Sequence, residues 1–194
     1  MILIIYCHPY EQSFNHAELI AIKENLNAVH REYEIIDLYA EHFNPVYSTE
    51  ELQIYHRGET TDPLVTKYLE LCRKADTVIF ITPYWWNSIP GMLKGFIDKV
   101  MKEGLGLSHT VTKTGVKGEL TNVNHCYVLT TSTSPTWYVQ FFLGNAIKKK
   151  VFINKTLHQL GFGNISWQNF GGITNSSLER RRKYLAKLTK QPFK

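Results

Sequence analysis

Three short stretches hold most of the residues able to do chemistry. "CHPYEQSFN" (7–15) carries an imidazole, a hydroxyl and an amide. "PYWWNSIPG" (83–91) sets Tyr84, Trp85 and Trp86 between Pro83 and Pro90. "TTSTSPTWY" (130–138) is a run of hydroxyls ending in Trp137 and Tyr138. The first enters a helical pattern through Ser13, Phe14 and Asn15, where polar side chains join the unpaired N–H groups and positive dipole end of a helix to make an anion site. Simple capping of that helix by Ser13 or Asn15 accounts for the same residues equally well. The second offers planar rings for stacking, on a loop whose shape two prolines fix. Closing the top of a core is the plainer use of two indoles. In the third, hydroxyl and N–H groups suit the polar edge of a heterocycle, and a Ser/Thr-rich turn is the alternative.

Other chemistries lack their signatures. Neither G-x-G-x-x-G after the first strand pattern nor G-x-x-x-x-G-K-[ST] occurs, and Gly161 to Gly163 lies between a helix and a strand, the wrong setting for a dinucleotide fingerprint. Cys7, Cys72 and Cys126 are widely spaced, odd in number and without C-x-x-C, so neither a disulfide framework nor a zinc site is expected. No H-E-x-x-H or clustered His/Cys set suggests a metal. The reducing cytoplasm is the expected compartment. N-x-[ST] matches at Asn154, Asn164 and Asn175 are then accidental.

The elements that must position these residues follow from periodicity. Ile2 to Tyr6 is an unbroken apolar run, as in a central parallel strand. Leu19, Ile22, Leu26 and Val29 predict a helix, "YEIIDL" (33–38) a second strand, and Asp62-Pro63 the start of a helix bearing Leu64, Tyr68, Leu71, Cys72 and Ala75. "TVIFIT" (77–82) is a third strand. A helix follows Pro90 with Leu93, Phe96, Ile97, Val100 and Met101 on one face. After a long connection (104–124), a fourth strand spans 125–131. A helix over about 146–160 carries Ile147, Val151, Leu157 and Leu160, and a strand (165–173) and a helix (177–190) complete the chain. Five βα units in succession predict an α/β fold with a doubly wound, five-stranded parallel sheet and helices on both faces.

The chain's 194 residues, 43% apolar and 20% charged, fit one domain over 1–194. No apolar run reaches membrane-spanning length, and the start lacks the n-region and cleavage site of a signal peptide, so no stable membrane insertion is expected. The net charge of +5 gathers in "KKK" (148–150) and "RRRK" (180–183). Nucleic-acid binding could use such runs, but both fall in amphipathic helical patterns and read better as solvated faces. In a doubly wound sheet ligands sit beyond the carboxyl ends of the strands. All three loops belong to that edge. Jointly they suit an isoalloxazine, which needs stacking surface and polar contacts to one rim.

The chain also resembles the flavodoxin-like NAD(P)H:quinone oxidoreductases, a family that includes DT-diaphorase, modulator-of-drug-activity reductases and the ancillary oxidoreductases of glutathione-gated potassium efflux. "CHPYEQSFNHA" is similar to its H-[PS]…S-x-N pattern, and "PYWWNSIPGMLKGFIDKV" to its P-x-x-W…P-x-x-[LM]-K-G-[WF]-x-[DE]-[RK] motif. The match of "TTSTSPTWY" is weaker. The resemblance spans nearly the whole chain and suggests a compact bacterial-type member. It implies that His8, Ser13, Phe14 and Asn15 hold a flavin phosphate and ribityl chain. Pro83, Tyr84, Trp85, Trp86 and Asn87 would line the ring system, and Thr130, Thr131, Ser132 and Thr133 its pyrimidine side. Tyr138 falls where the DT-diaphorase branch places a catalytic tyrosine. Two departures stand out: Ser132 and Thr133 replace a glycine pair, and Gly144 replaces the histidine expected beyond the tyrosine. The implied activity is two-electron, ping-pong reduction of a quinone-like acceptor by NAD(P)H, with FMN, or FAD, as cofactor, in a cytoplasmic homodimer. A flavin-binding regulatory subunit docked on a membrane transporter is the alternative. An electron-carrier flavodoxin fits poorly with a sequence pI near 9.0.

Overall fold

The apolar run Ile2–Tyr6 forms β1, and every residue of it is buried in the computed structural model, which describes residues 1–194. Successive side chains of a strand point to opposite faces. Leu3 and Ile5 accordingly enter one core, while Ile2, Ile4 and Tyr6 enter another. Chain order continues with β2 (Tyr33–Asp37), β3 (Thr77–Pro83), the small strands β4 (His109–Thr112) and β5 (Gly115–Gly118), then β6 (His125–Ser132) and β7 (Ile165–Gly171). The main sheet is wholly parallel in the order β2-β1-β3-β6-β7. The winding reverses between β1 and β3, which makes their carboxyl ends the expected ligand edge.

Helices α1 (Phe14–Ala28) and α6 (Leu178–Leu188) cover one face, and α3 (Pro63–Lys74) and α4 (Gly91–Val100) the other. The start of α3 is as predicted: Asp62 accepts from the Leu64 N–H at 3.0 Å, with Pro63 in the first turn. Short helices α2 (Thr49–Ile54) and α5 (Thr136–Phe141) lie in stretches that read as loops. No helix is long and apolar enough to cross a membrane.

Five expectations need correction. Residues 104–124 are more than a connection, because β4 and β5 pair as an antiparallel hairpin through the β-branched Thr110, Val111 and Val116. The helix over 146–160 is two π-helical segments, Ala146–Lys150 and Phe152–Leu157. Among their buried side chains, Ile147, Phe152 and Leu157 recur every five residues, in step with the i→i+5 bonds of that form, and Ile153 is buried beside Phe152. Val151, placed on the apolar face by a 3.6 period, is 52% exposed. Val29 caps the end of α1 and is also exposed, and the last strand stops at Gly171, short of residue 173. Half of the "RRRK" run is structural: Arg180 donates to the Gly171 carbonyl and Arg181 to that of Ile173, both at 2.8 Å.

Gly95 explains the Lys-Gly step in the long motif. A Cβ there would overlap the ring and carbonyl of Pro45, which crosses α4 at that turn. Gly95→Ala is therefore expected to cost about 1–3 kcal/mol, read as a lower urea midpoint at unchanged slope. An unchanged midpoint contradicts the close packing.

Candidate active site

The strand register sets the three loops at one level. Tyr6 pairs with Ile81, Pro83 with Thr131, and Ser132 with Gly171, so the chain leaves β1, β3 and β6 side by side. Direct contacts then join the loops. His8 meets Trp85 edge-on with ring centroids 6.0 Å apart. The Tyr84 N–H donates to the Thr131 carbonyl at 2.8 Å, and Thr131 Oγ1 donates to Asn15 Oδ1 at 2.8 Å.

In the first loop Ser13 Oγ caps α1, accepting from the His16 N–H at 3.1 Å. The Phe14 and Asn15 N–H groups are left without an acceptor in the chain. Pro9 to Gln12 are exposed, whereas the side chains of Phe14 and Asn15 face inward. The Phe14 ring packs on Phe170, centroid to centroid 4.5 Å, and Asn15 is buried and bonded to Thr131 and Glu18. His8 is half-buried, which lowers its pKa against a smaller opposing effect of its bond to Tyr10. Its Nδ1 accepts from the Tyr10 N–H at 3.1 Å, so the neutral ring carries its proton on Nε2 as a free donor. Burial pushes the Cys7 thiol just behind up to about 12, which makes it a poor nucleophile.

The second loop answers what the indoles do. Tyr84 packs on the core with its hydroxyl buried and unpartnered, and burial raises its pKa. Trp86, by contrast, is 99% exposed, and Trp85 is 42% exposed. Trp85 and Ser88 exchange N–H···O bonds of 3.0 and 2.9 Å around a two-residue turn, with φ of 46° at Trp86 and 62° at Asn87. Positive φ at both central positions is the habit of type I′ turns, where Asn and Gly are at ease and a bulky residue is not. An indole held in solvent by a costly backbone is not closing a core. Trp86→Gly is expected to raise stability by about 1 kcal/mol, since it relieves the left-handed position and removes no packing. A lower thermal midpoint in the absence of cofactor contradicts this.

In the third loop Thr130, Thr131 and Ser132 are buried, while Thr133 is exposed. Asn169 of β7 organises them: it accepts from Thr130 Oγ1 at 2.8 Å and donates to Ser132 Oγ at 2.9 Å and Thr136 Oγ1 at 3.0 Å. Sequence reasoning passed over Asn169, whose only signal was its place near the end of the last strand. Tyr138 lies on α5, 38% exposed and stacked on Phe142 at 5.3 Å. Gly144 has φ of 69°, a conformation that suits glycine, and offers no imidazole at that position.

Five backbone N–H groups on this edge (Phe14, Asn15, Trp86, Asn87 and Thr133) have no acceptor in the protein. Together with an exposed indole, that donor set fits a planar, anionic cofactor with a polar rim, as a flavin is. A cavity of about 540 Å³ lies to one side between β7 and α6, lined by Asn169, Phe170, Arg180, Lys183, Tyr184 and Lys187.

Comparison with known proteins agrees with this architecture. A family model described as a flavodoxin-like fold, Flavodoxin_2, matches residues 1–191. A Haemophilus influenzae protein described as an uncharacterized NAD(P)H oxidoreductase is 29% identical over 178 residues, 88% of this chain and 83% of its own. Rat NAD(P)H dehydrogenase [quinone] 1 is 29% identical over 153 residues, which is 70% of this chain and 55% of that longer one. The solved structure of Smu.1420 from Streptococcus mutans superposes with a TM-score of 0.81 at 30% identity, covering 97% of this chain and 96% of the other. An FMN-dependent NADH-azoreductase from Bacillus anthracis, solved with FMN, shares the fold at a TM-score of 0.79 and 17% identity, over 97% and 95% of the two chains. With its strand order, its two sequence motifs and these relatives in agreement, the chain belongs to the flavodoxin-like family of NAD(P)H and quinone oxidoreductases.

Proposed function

We propose that this protein is a flavin-dependent oxidoreductase that takes hydride from NADH or NADPH and passes two electrons to a quinone-like acceptor. The overall reaction, NAD(P)H plus a proton plus quinone giving NAD(P)⁺ plus hydroquinone, balances without a further reactant. The carrying observation is the set of unpaired N–H groups beside the exposed Trp86 on the carboxyl edge of the sheet. FMN is the cofactor in this reading, FAD the variant of it. When bound, the flavin supplies the hydride chemistry of both half-reactions.

The residues of the chain bind and orient. The first turn of α1, with Ser13, Phe14 and Asn15, holds a phosphate through backbone donors and the helix dipole. His8 donates from Nε2 toward the ribityl chain. Pro83 and Tyr84 set the floor of the second loop, and Trp85 and Trp86 offer stacking area for the ring and for both substrates in turn. The N–H groups of Trp86 and Asn87 stabilise negative charge developing on the ring. Thr131, Ser132 and Thr133 address the pyrimidine rim, with Thr130 holding the strand end behind them. In this reading Tyr138 offers a phenol to the reacting centre.

The reading takes residues 1–194 as one domain acting as a cytoplasmic homodimer, with no nucleic-acid partner. Exposed Trp137, Phe141 and Phe142 on and beside α5 support a second copy there, since so large an aromatic patch is unusual on a monomer. The test is steady-state kinetics of flavin-loaded protein with NAD(P)H varied at several fixed quinone concentrations. Parallel double-reciprocal lines are the result expected for alternation at one site. Intersecting lines contradict it.

A further inference from the structure

Glu18, on the second turn of α1, is 0% exposed and has no salt-bridge partner. Its Oε2 accepts from Asn15 Nδ2 at 2.9 Å, and Asn15 Oδ1 in turn accepts from Thr131 Oγ1 at 2.8 Å. The Thr131 carbonyl accepts the Tyr84 N–H at 2.8 Å. One chain of bonds thus runs from Glu18 through the first and third loops to the residue that precedes the two indoles. Asn15 and Thr131 are themselves buried, so solvent cannot substitute for either partner.

On its other side Glu18 adjoins Tyr184 of α6, close enough for the phenol to bias its titration. Yet neither Glu18 Oε1 nor Tyr184 Oη makes a hydrogen bond of proper geometry. The remaining ionisable group facing it is Tyr6 of β1, whose phenol is pushed up to about 12, first by burial and further, among smaller effects, by the negative charge of Glu18. An ionised carboxylate here has one hydrogen bond and no counter-ion. A neutral carboxyl avoids that uncompensated buried charge.

We propose that Glu18 is a positioning residue of the cofactor site: it fixes the Asn15 amide in the one orientation that ties the loop after β1 to the loop after β6. The inference rests on the flavin reading and adds a residue that touches no ligand. Asn15 must turn its oxygen to the Thr131 hydroxyl, so its NH₂ group needs an acceptor on the far side, which Glu18 Oε2 provides. Burial, opposed by smaller effects of Tyr184 and Asn15, pushes the Glu18 carboxyl up to about 8. At neutral pH it is therefore mainly protonated. Loss of its proton places an uncompensated negative charge beneath the anion-binding first turn of α1, where it repels a phosphate.

The experiment is a fluorescence titration of FMN into wild type, Glu18→Gln and Glu18→Leu between about pH 6 and about pH 9.5. Gln reproduces the neutral carboxyl: its oxygen accepts from Asn15 and its NH₂ group can donate to Tyr184. The wild-type Kd is expected to rise about 10-fold or more as pH passes through the region of 8, while that of Glu18→Gln stays flat and tight. Glu18→Leu, which leaves the Asn15 NH₂ unpaired, is expected to bind about 10-fold more weakly at every pH. The second ionisation of the FMN phosphate acts equally on all three proteins and cancels in the comparison. Wild type and Glu18→Gln weakening in parallel overturn the inference alone, as does flavin binding in wild type that is flat with pH. A wild type that binds no flavin near the low end of the range refutes the flavin reading, and this inference with it.

Discussion

Replacing Trp85 and Trp86 together by alanine is expected to weaken flavin binding by roughly 10- to 100-fold while leaving the thermal midpoint of the cofactor-free protein within a few degrees of wild type. The size follows from two aromatic faces at about 0.5–1.5 kcal/mol each beyond their area. The split between binding and stability follows from exposure. Trp86 lies wholly in solvent and Trp85 nearly half so, and neither belongs to the buried cores. A fold that keeps two indoles in water gains nothing from them until something stacks there. If the double variant instead unfolds early and retains flavin, the indoles are core caps after all. Combined with the gain expected for Trp86→Gly, this gives a stability–binding exchange in which the same position moves the two quantities in opposite directions.

Asn15→Leu is expected to act on both. Its side chain is buried and makes two hydrogen bonds, to Glu18 at 2.9 Å and from Thr131 at 2.8 Å. Leucine fits the approximate volume but strands two buried polar groups. A cost of about 2–4 kcal/mol follows, or a fall of roughly 5–15 °C in midpoint. Flavin affinity falls with it, since the first and third loops lose their common fastening. Thr131→Val removes the same fastening from the other end. In a double-mutant cycle the two substitutions are expected to couple by about 1 kcal/mol or more. Strict additivity shows instead that the two loops are held independently.

The network between the loops also marks where sequence reading stops. The strands, the winding and the ligand edge were legible because they are written in contiguous residues: the Ile2–Tyr6 run, the Asp62-Pro63 helix start and the proline-bounded tryptophan loop. The exposed, left-handed Trp86 was half legible. Its position pointed to a ligand, but its type alone pointed first to a core. Contacts such as Asn15 to Thr131, 116 residues apart, leave no local trace. Glu18 reads as an ordinary helix-surface carboxylate until Tyr184 and Tyr6 close over it, and Asn169 is one polar residue among many. The two π-helical segments escaped for a different reason. Their apolar spacing of five was read against the commoner 3.6 period, which picked Val151 where Phe152 is buried. Hairpin β4–β5 carried a β-branched signal diluted by the glycines and lysines around it.

The most direct measurement is the visible spectrum of the protein reconstituted with FMN or FAD, freed of excess cofactor, and mixed without oxygen first with NADPH or NADH and then with a benzoquinone. Retained flavin bands, bleached by the nicotinamide and restored by the quinone, are the predicted result. A protein that holds neither flavin, or whose bound flavin is untouched by both nicotinamides, contradicts a flavin-dependent NAD(P)H oxidoreductase and returns the three loops to a purely structural role.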